Sequence, residues 1–327
     1  ELREMLTYYK EQGALPMSVD DAVTMMKPNY DNYCFSKNKL ADCMFNSDMV
    51  LYCMKSLILH GVKPDEIVDP NIRTDFNKLA YLVRLDHGLG ENFSVIKEIA
   101  EQGEIVTEIV THFSALEMTD VGNFKSLLFY FGLLSIKGVD MMGRPLLHIP
   151  NLVVREQLFN FLIQGYARHD IFKLDVNRLR TLFENMSFKG DWKPLFEFLA
   201  EAIREQSRIR EYIEGEAHIK GFLLAYLSMF HYYQLYPEYE MNKGFADFFF
   251  KPSPAAPVSP PYTYLLEVKY AKAGASEKEI RALADDAREQ LIRYSKDECV
   301  AEAREKGGLK LATIVWRSWE LVLMEEV

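Results

Sequence analysis

The sequence of 327 residues predicts an α+β fold, helical in its N-terminal part and α/β in its C-terminal part. Three observations carry that expectation. Helical apolar spacing dominates up to about residue 120, short alternating strands dominate beyond about residue 210, and the length suits two domains at roughly 150 residues each. Apolar residues make up 49% and charged residues 26%, the balance of a soluble globular chain and not of a disordered one.

Residues 1–122 are expected to form a helical region. In DMVLYCMKSLILHG, Met49, Tyr52, Cys53, Leu57 and Leu59 fall near one side, and Gly61 supplies a C-terminal stop. The chain opens at Glu1 in a helical pattern, ELREMLTYYKEQG, with neither an initiator Met nor a signal-type apolar stretch, so a piece of a longer protein is expected.

Residues 123–210 read first as helix, strand, turn, strand and helix. Gly138 and Gly143 bracket the turn, and Pro150-Asn151 opens the last helix. That order is winged-helix-like. Its local cations are only Lys125, Lys137, Arg144 and Arg155, which favours structural packing over DNA reading for this module. Leu174 to Ser207 follows as connecting helix.

Residues 211–327 carry the sharper pattern: a helix over 216–232, a strand pair over 237–250, a strand over 262–270, a helix over 276–296, and strands over 309–316 and 319–324. The segment KPSPAAPVSPP, Lys251 to Pro261, holds five of the 13 prolines. Because proline cannot donate to a strand ladder, it is expected to be an exposed, mobile loop at a sheet edge that joins two strands of one sheet.

Polar groups sit at inward positions in four of these elements. In GFADFFF, period two places Phe245, Asp247 and Phe249 on one face; a turn after Gly244 is the alternative for Asp247. In YTYLLEVKY the same period puts Leu265, Glu267 and Lys269 together on an inner strand, where burial is costly unless the charges pair or hold a metal. A surface charge pair is the alternative there. Glu216 shares a helix face with Ile219, Leu223, Leu227 and Phe230, so it is expected to point toward the sheet, and Gln290 lies on the line Leu283, Ala287, Gln290, Tyr294.

Composition excludes several classes. Lys plus Arg number 38 against 48 Asp plus Glu, a net charge of -10, so no global basic field draws the chain to nucleic acid or anionic lipid. The four cysteines form no C-x-x-C pair, which suits core thiols in a reducing cytoplasm. No H-x-x-x-H pair occurs, and the longest apolar runs fall short of the roughly 20 residues that span a bilayer, so no membrane segment is expected. The glycine segment GVDMMGRP ends in Arg-Pro where a phosphate-binding loop requires Lys-Ser/Thr, and it reads as a hairpin turn.

Asp247, the Glu267-Val268-Lys269 triplet, Gln290-x-x-x-Tyr294 and the helical Glu216 together resemble the signature of the PD-(D/E)XK nuclease superfamily. The resemblance implies a restriction-endonuclease-like α-β-β-β-α-β fold for residues 211–327 and metal-dependent hydrolysis of nucleic acid, with DNA as the expected partner. It assigns Mg2+ or Mn2+ to Asp247, Glu267, Glu216 and the Val268 carbonyl, water activation to Lys269, and support of the site to Gln290 and Tyr294. More narrowly, the run from Glu216 resembles a bacterial domain found at the C-terminus of AAA-like ATPase proteins, and MMKPNYDNYCFS looks like the distal end of such an ATPase region. ATP would then enter only through a phosphate-binding loop upstream of Glu1. The alternatives are a non-catalytic module that binds nucleic acid or protein, and a regulatory fragment of an ATPase. Charge limits the first reading, since residues 201–327 carry 17 Lys plus Arg against 21 Asp plus Glu.

Overall fold

The computed structural model describes residues 1–64, 68, 91–114, 117, 120–210, 213, 215–254 and 256–327. It divides into two compact units, Glu1–Leu162 and Ile163–Val327.

In the first unit, α1 (Leu2–Glu11), α2 (Val19–Tyr30), α3 (Ser47–His60) and α4 (Glu91–Gln102) precede β1 (Glu104–Val106). Local chemistry explains their ends. The Ser18 hydroxyl accepts from the Asp21 N–H at 3.0 Å to cap α2, Asn46 caps α3 in the same way, and Gly61 closes α3 in the left-handed region at φ 69°. Then follow α5 (Val121–Tyr130), β2 (Ser135–Val139), β3 (Pro145–His148) and α6 (Leu152–Arg168), which is the predicted helix, strand, turn, strand, helix order. The three strands form an antiparallel sheet of order β1-β3-β2. β1 departs from the helical expectation for residues 1–122: Ile105 is buried opposite Leu147, and the short strand completes a sheet whose partner lies about 40 residues further on.

The second unit holds α7 (Val176–Lys189), α8 (Lys193–Glu205), α9 (Glu216–Leu227), β4 (Tyr233–Met241), β5 (Gly244–Pro252), β6 (Thr263–Ala271), α10 (Glu277–Tyr294), β7 (Leu309–Arg317) and β8 (Glu320–Glu326). The sheet order is β4-β5-β6-β7-β8, antiparallel except for the β6–β7 pair. Strand alternation puts neighbouring residues of β6 on opposite faces. Leu265 packs with Leu291 and Tyr294 of α10, while the Tyr264 hydroxyl donates to the Met186 carbonyl of α7 at 2.6 Å. α10 is started by a capping box in which Ser276 and Glu279 satisfy each other's backbone N–H groups.

Helices α7 and α8 therefore belong with this sheet, and the Trp192 indole N–H, next to α8, donates to Glu326 of β8. Both helices lie in the second unit, which begins at Ile163 within α6, ahead of the break expected near residue 210. The proline-rich loop also departs from expectation. It joins two interior strands, not edge strands, and Ser253, Ala256 and Pro260 are buried, while Lys251, residues 257–259 and Pro261 are exposed. The Ser253 N–H donates to the Tyr232 carbonyl at 2.9 Å, which ties the loop down at its start.

Candidate active site

The β5–β6 ladder pairs Phe250 with Tyr264, Phe249 with Leu265 and Phe248 with Leu266, and stops there. The next step would oppose Asp247 and Glu267. Where the strands part, their backbone N–H groups are free to serve carboxylates. The Asp247 N–H donates to Glu267 Oε1 at 3.2 Å, and the Val268 N–H donates to Asp247 Oδ2 at 2.8 Å. Each acid is thus held by the strand of the other. Both are buried, Asp247 with 8% of its surface exposed and Glu267 with 1%.

Two lysines compensate the pair. Lys269 Nζ lies 3.3 Å from Glu267 Oε2 and donates to Gln290 Oε1 at 3.1 Å. It also lies 3.6 Å from Asp286 Oδ2, which accepts from the Gln290 amide at 2.7 Å. Lys220, on α9, contacts Asp247 Oδ1 at 2.6 Å and Glu216 Oε1 at 2.5 Å. The charge set is two buried acids, two lysines and two acids nearer the surface, spread over β5, β6, α9 and α10.

Electrostatics follow from this burial. Loss of water, and then repulsion from Asp247, push the Glu267 carboxyl up to about 8, with Lys269 opposing the shift. At Lys220 burial disfavours the ammonium, but Asp247 and Glu216 outweigh that and raise it above the ordinary lysine value. Between the ordinary value of 4.5 and about 8, folded Glu267 keeps a proton that the unfolded chain releases. Stability of the metal-free protein is therefore expected to fall as pH rises through that window, by at most about 1.4 kcal/mol per pH unit from this group. Thermal unfolding followed across the window should show the decline, and Glu267→Gln should flatten it; an unchanged slope in that variant would move the effect to other groups.

Of the residues singled out in the sequence, the structure joins Asp247, Glu267, Lys269 and Gln290 directly. Val268 enters through its N–H, which positions Asp247. Glu216 does not point into the sheet. It stands at the first residue of α9 with 45% of its side chain exposed and reaches Asp247 only through Lys220. Tyr294 lies apart from the acids, 2% exposed among Met241, Ala246, Phe249, Leu265 and Leu291. Its ring lies against Gly244, where a Cβ would meet the hydroxyl at 2.4 Å. Two members went unnoticed in the sequence, Lys220 and Asp286. Both were within reach of the helical i, i+4 rule, Lys220 four residues after Glu216 and Asp286 four before Gln290.

Among the described residues, no three His, Cys, Asp or Glu side chains gather as a ready ligand set. The donors present nevertheless suit a hard divalent cation. Mg2+ commonly takes one or two carboxylates and completes its shell with water and substrate oxygens, and burial and the neighbouring Asp247 disfavour the ionised form of Glu267, which such an ion would stabilise. Glu216, with 45% of its side chain exposed at the first residue of α9, reaches the pair only through Lys220, which leaves the buried Asp247 and Glu267 as the primary donors.

Residues 214–326 match the family model described as the PD-(D/E)XK nuclease superfamily. The matched stretch contains every candidate site residue and the whole five-stranded sheet, which agrees with a restriction-endonuclease-like arrangement. It does not reach the N-terminal part, where the ATPase-like likeness is without support. No curated protein matches the chain. Among the described residues, no helix is long and apolar enough to cross a membrane.

Proposed function

We propose that residues 211–327 hydrolyse phosphodiester bonds of nucleic acid, with DNA as the substrate, in a reaction that depends on Mg2+ or Mn2+. The observation that carries this reading is the crossed pair of backbone bonds that sets Asp247 and Glu267 side by side in a buried position, with Lys269 beside them. Asp247 and Glu267, joined by the Val268 carbonyl, would hold the ion. When bound, it polarises the phosphoryl oxygen and stabilises the leaving alkoxide.

The remaining work falls to the protein's own groups. Lys269 orients the attacking water and balances the charge that grows on the phosphorus oxygens. Gln290 fixes the ammonium by accepting from it, and its own amide is anchored on Asp286, so Lys269 keeps one direction. Burial of Glu267 excludes bulk water from one side of the site. Tyr294 supports the site from below by packing against the start of β5. In the N-terminal unit, the β1-β3-β2 sheet flanked by helices supports the winged-helix-like reading, as a packing module. All four cysteines are free thiols, which suits the reducing cytoplasm expected for the protein.

The test is ion uptake together with cleavage. Calorimetric titration should show Mn2+ binding to the wild type and its loss in Asp247→Asn, which removes one negative ligand at nearly constant volume. A labelled DNA oligonucleotide should be cut only in the presence of the ion. A wild type that takes up no ion and cuts neither DNA nor RNA would overturn the reading.

A further inference from the structure

The position of Lys220 carries a consequence for how the site is switched. Its ammonium lies 2.6 Å from Asp247 Oδ1, while Asp247 Oδ2 already accepts from the Val268 N–H. Both oxygens of the central acid are therefore engaged. The same ammonium holds Glu216 at 2.5 Å, and only 19% of the Lys220 side chain is exposed. A divalent cation bound to Asp247 would sit about 2 Å from a carboxylate oxygen, in the space an ammonium at 2.6 Å now fills. Two cations cannot share that side of one carboxylate without strong repulsion in a poorly solvated site.

We propose that Lys220 is a built-in counter-ion that closes the site in the absence of metal and has to release Asp247 before a divalent cation is taken up. Released, Lys220 keeps its partner Glu216 four residues back on the same helix, so its side chain can turn from Asp247 to Glu216 without leaving the ammonium unpaired, while the buried body of α9 stays in place. The device keeps two buried acids from facing each other uncompensated in the empty site, and it sets the ion concentration at which the site fills. This inference rests on the metal-dependent reading given above.

The test uses the whole chain and does not rely on cleavage. Mn2+ is titrated by calorimetry into metal-free wild type, Lys220→Met and Lys220→Arg, and thermal unfolding is followed with and without the ion. Lys220→Met is expected to bind Mn2+ at least about tenfold more tightly than the wild type, because the competing cation is gone while the side-chain volume is kept. Lys220→Arg, which restores the positive charge, is expected to bind like the wild type. Without metal Lys220→Met should melt at a lower temperature, and Mn2+ should raise its Tm by more than that of the wild type. A purely structural lysine would lower the metal-free Tm and leave the dissociation constant within about twofold, and that result would overturn the lock alone. Uptake by none of the proteins would overturn the lock and the metal-dependent reading together. If Lys220→Met fails to fold, Lys220→Gln, which can still donate to Asp247 without charge, takes its place with the same expected direction.

Discussion

Lys269→Ala is expected to lower the rate of DNA cleavage by about 10²–10³-fold, the usual cost of removing one preorganised group that stabilises transition-state charge. Lys269 pairs with Glu267 at 3.3 Å, and it is held from the other side by Gln290 and Asp286. Removing it takes away both the orientation of the attacking water and the balancing charge. Breaking a buried pair often costs several kcal/mol by stranding the partner charge. Here that cost is limited, because Glu267 already sits at about 8 and can take a proton at neutral pH. The variant should therefore stay folded while losing turnover. Single-turnover cleavage of a labelled oligonucleotide, paired with a thermal melt, separates the two effects. Gln290→Ala should fall between the variant and the wild type, since it loosens Lys269 without removing it. Wild-type turnover in Lys269→Ala would exclude the lysine from the chemistry.

Gly308→Ala should be the most damaging single-atom addition in the second unit. A Cβ at Gly308 would stand 2.3 Å from the Pro261 carbonyl oxygen. That oxygen belongs to backbone, which cannot swing aside as a side chain can. Gly308 is also fixed by its own backbone: its N–H donates to the Ala303 carbonyl at 2.8 Å and its carbonyl accepts from Thr263 at 2.9 Å. Relief would require β6 and β7 to separate at their first pair, Thr263 with Leu309. Overpacking of this kind costs roughly 3 kcal/mol, equivalent to a Tm lowered by about 6–12 °C for a unit of this size. Gly274→Ala is the control, since nothing lies within 4 Å of the added atom, and it should shift Tm little or slightly upward. Equal melting of the two variants would show that the proline-rich loop yields freely.

Much of the C-terminal unit was legible from local chemistry. Alternation in YTYLLEVKY names β6 and helical spacing names α10, and both were expected within a residue or two of where they lie. Period two along β5 and β6 marked Asp247, Glu267 and Lys269 as inward charges, because a charge on an inner strand has few ways to be tolerated, and the resemblance to the nuclease signature joined them with Gln290 in one hypothesis. Other features depended on partners distant in sequence. The ladder between β5 and β6 ends at Phe248 and Leu266, and that ending frees the two N–H groups that hold the acids. Helical periodicity aimed Glu216 at the sheet, yet as the first residue of α9 it turns outward to Lys220, and Lys220 takes the inward role. Tyr294 shares the helix line of Gln290 but meets Gly244 and an apolar cluster. Helices α7 and α8 join the sheet through Tyr264 and Trp192, contacts made across 78 and 134 residues. In the second unit the sequence by itself determined the strands and helices that carry the site and the charges on its two central strands, because those depend on spacing and side-chain type over a few residues. Which charge meets which was decided by the tertiary structure alone, because it depends on where strand pairing stops and on which helix end faces that gap.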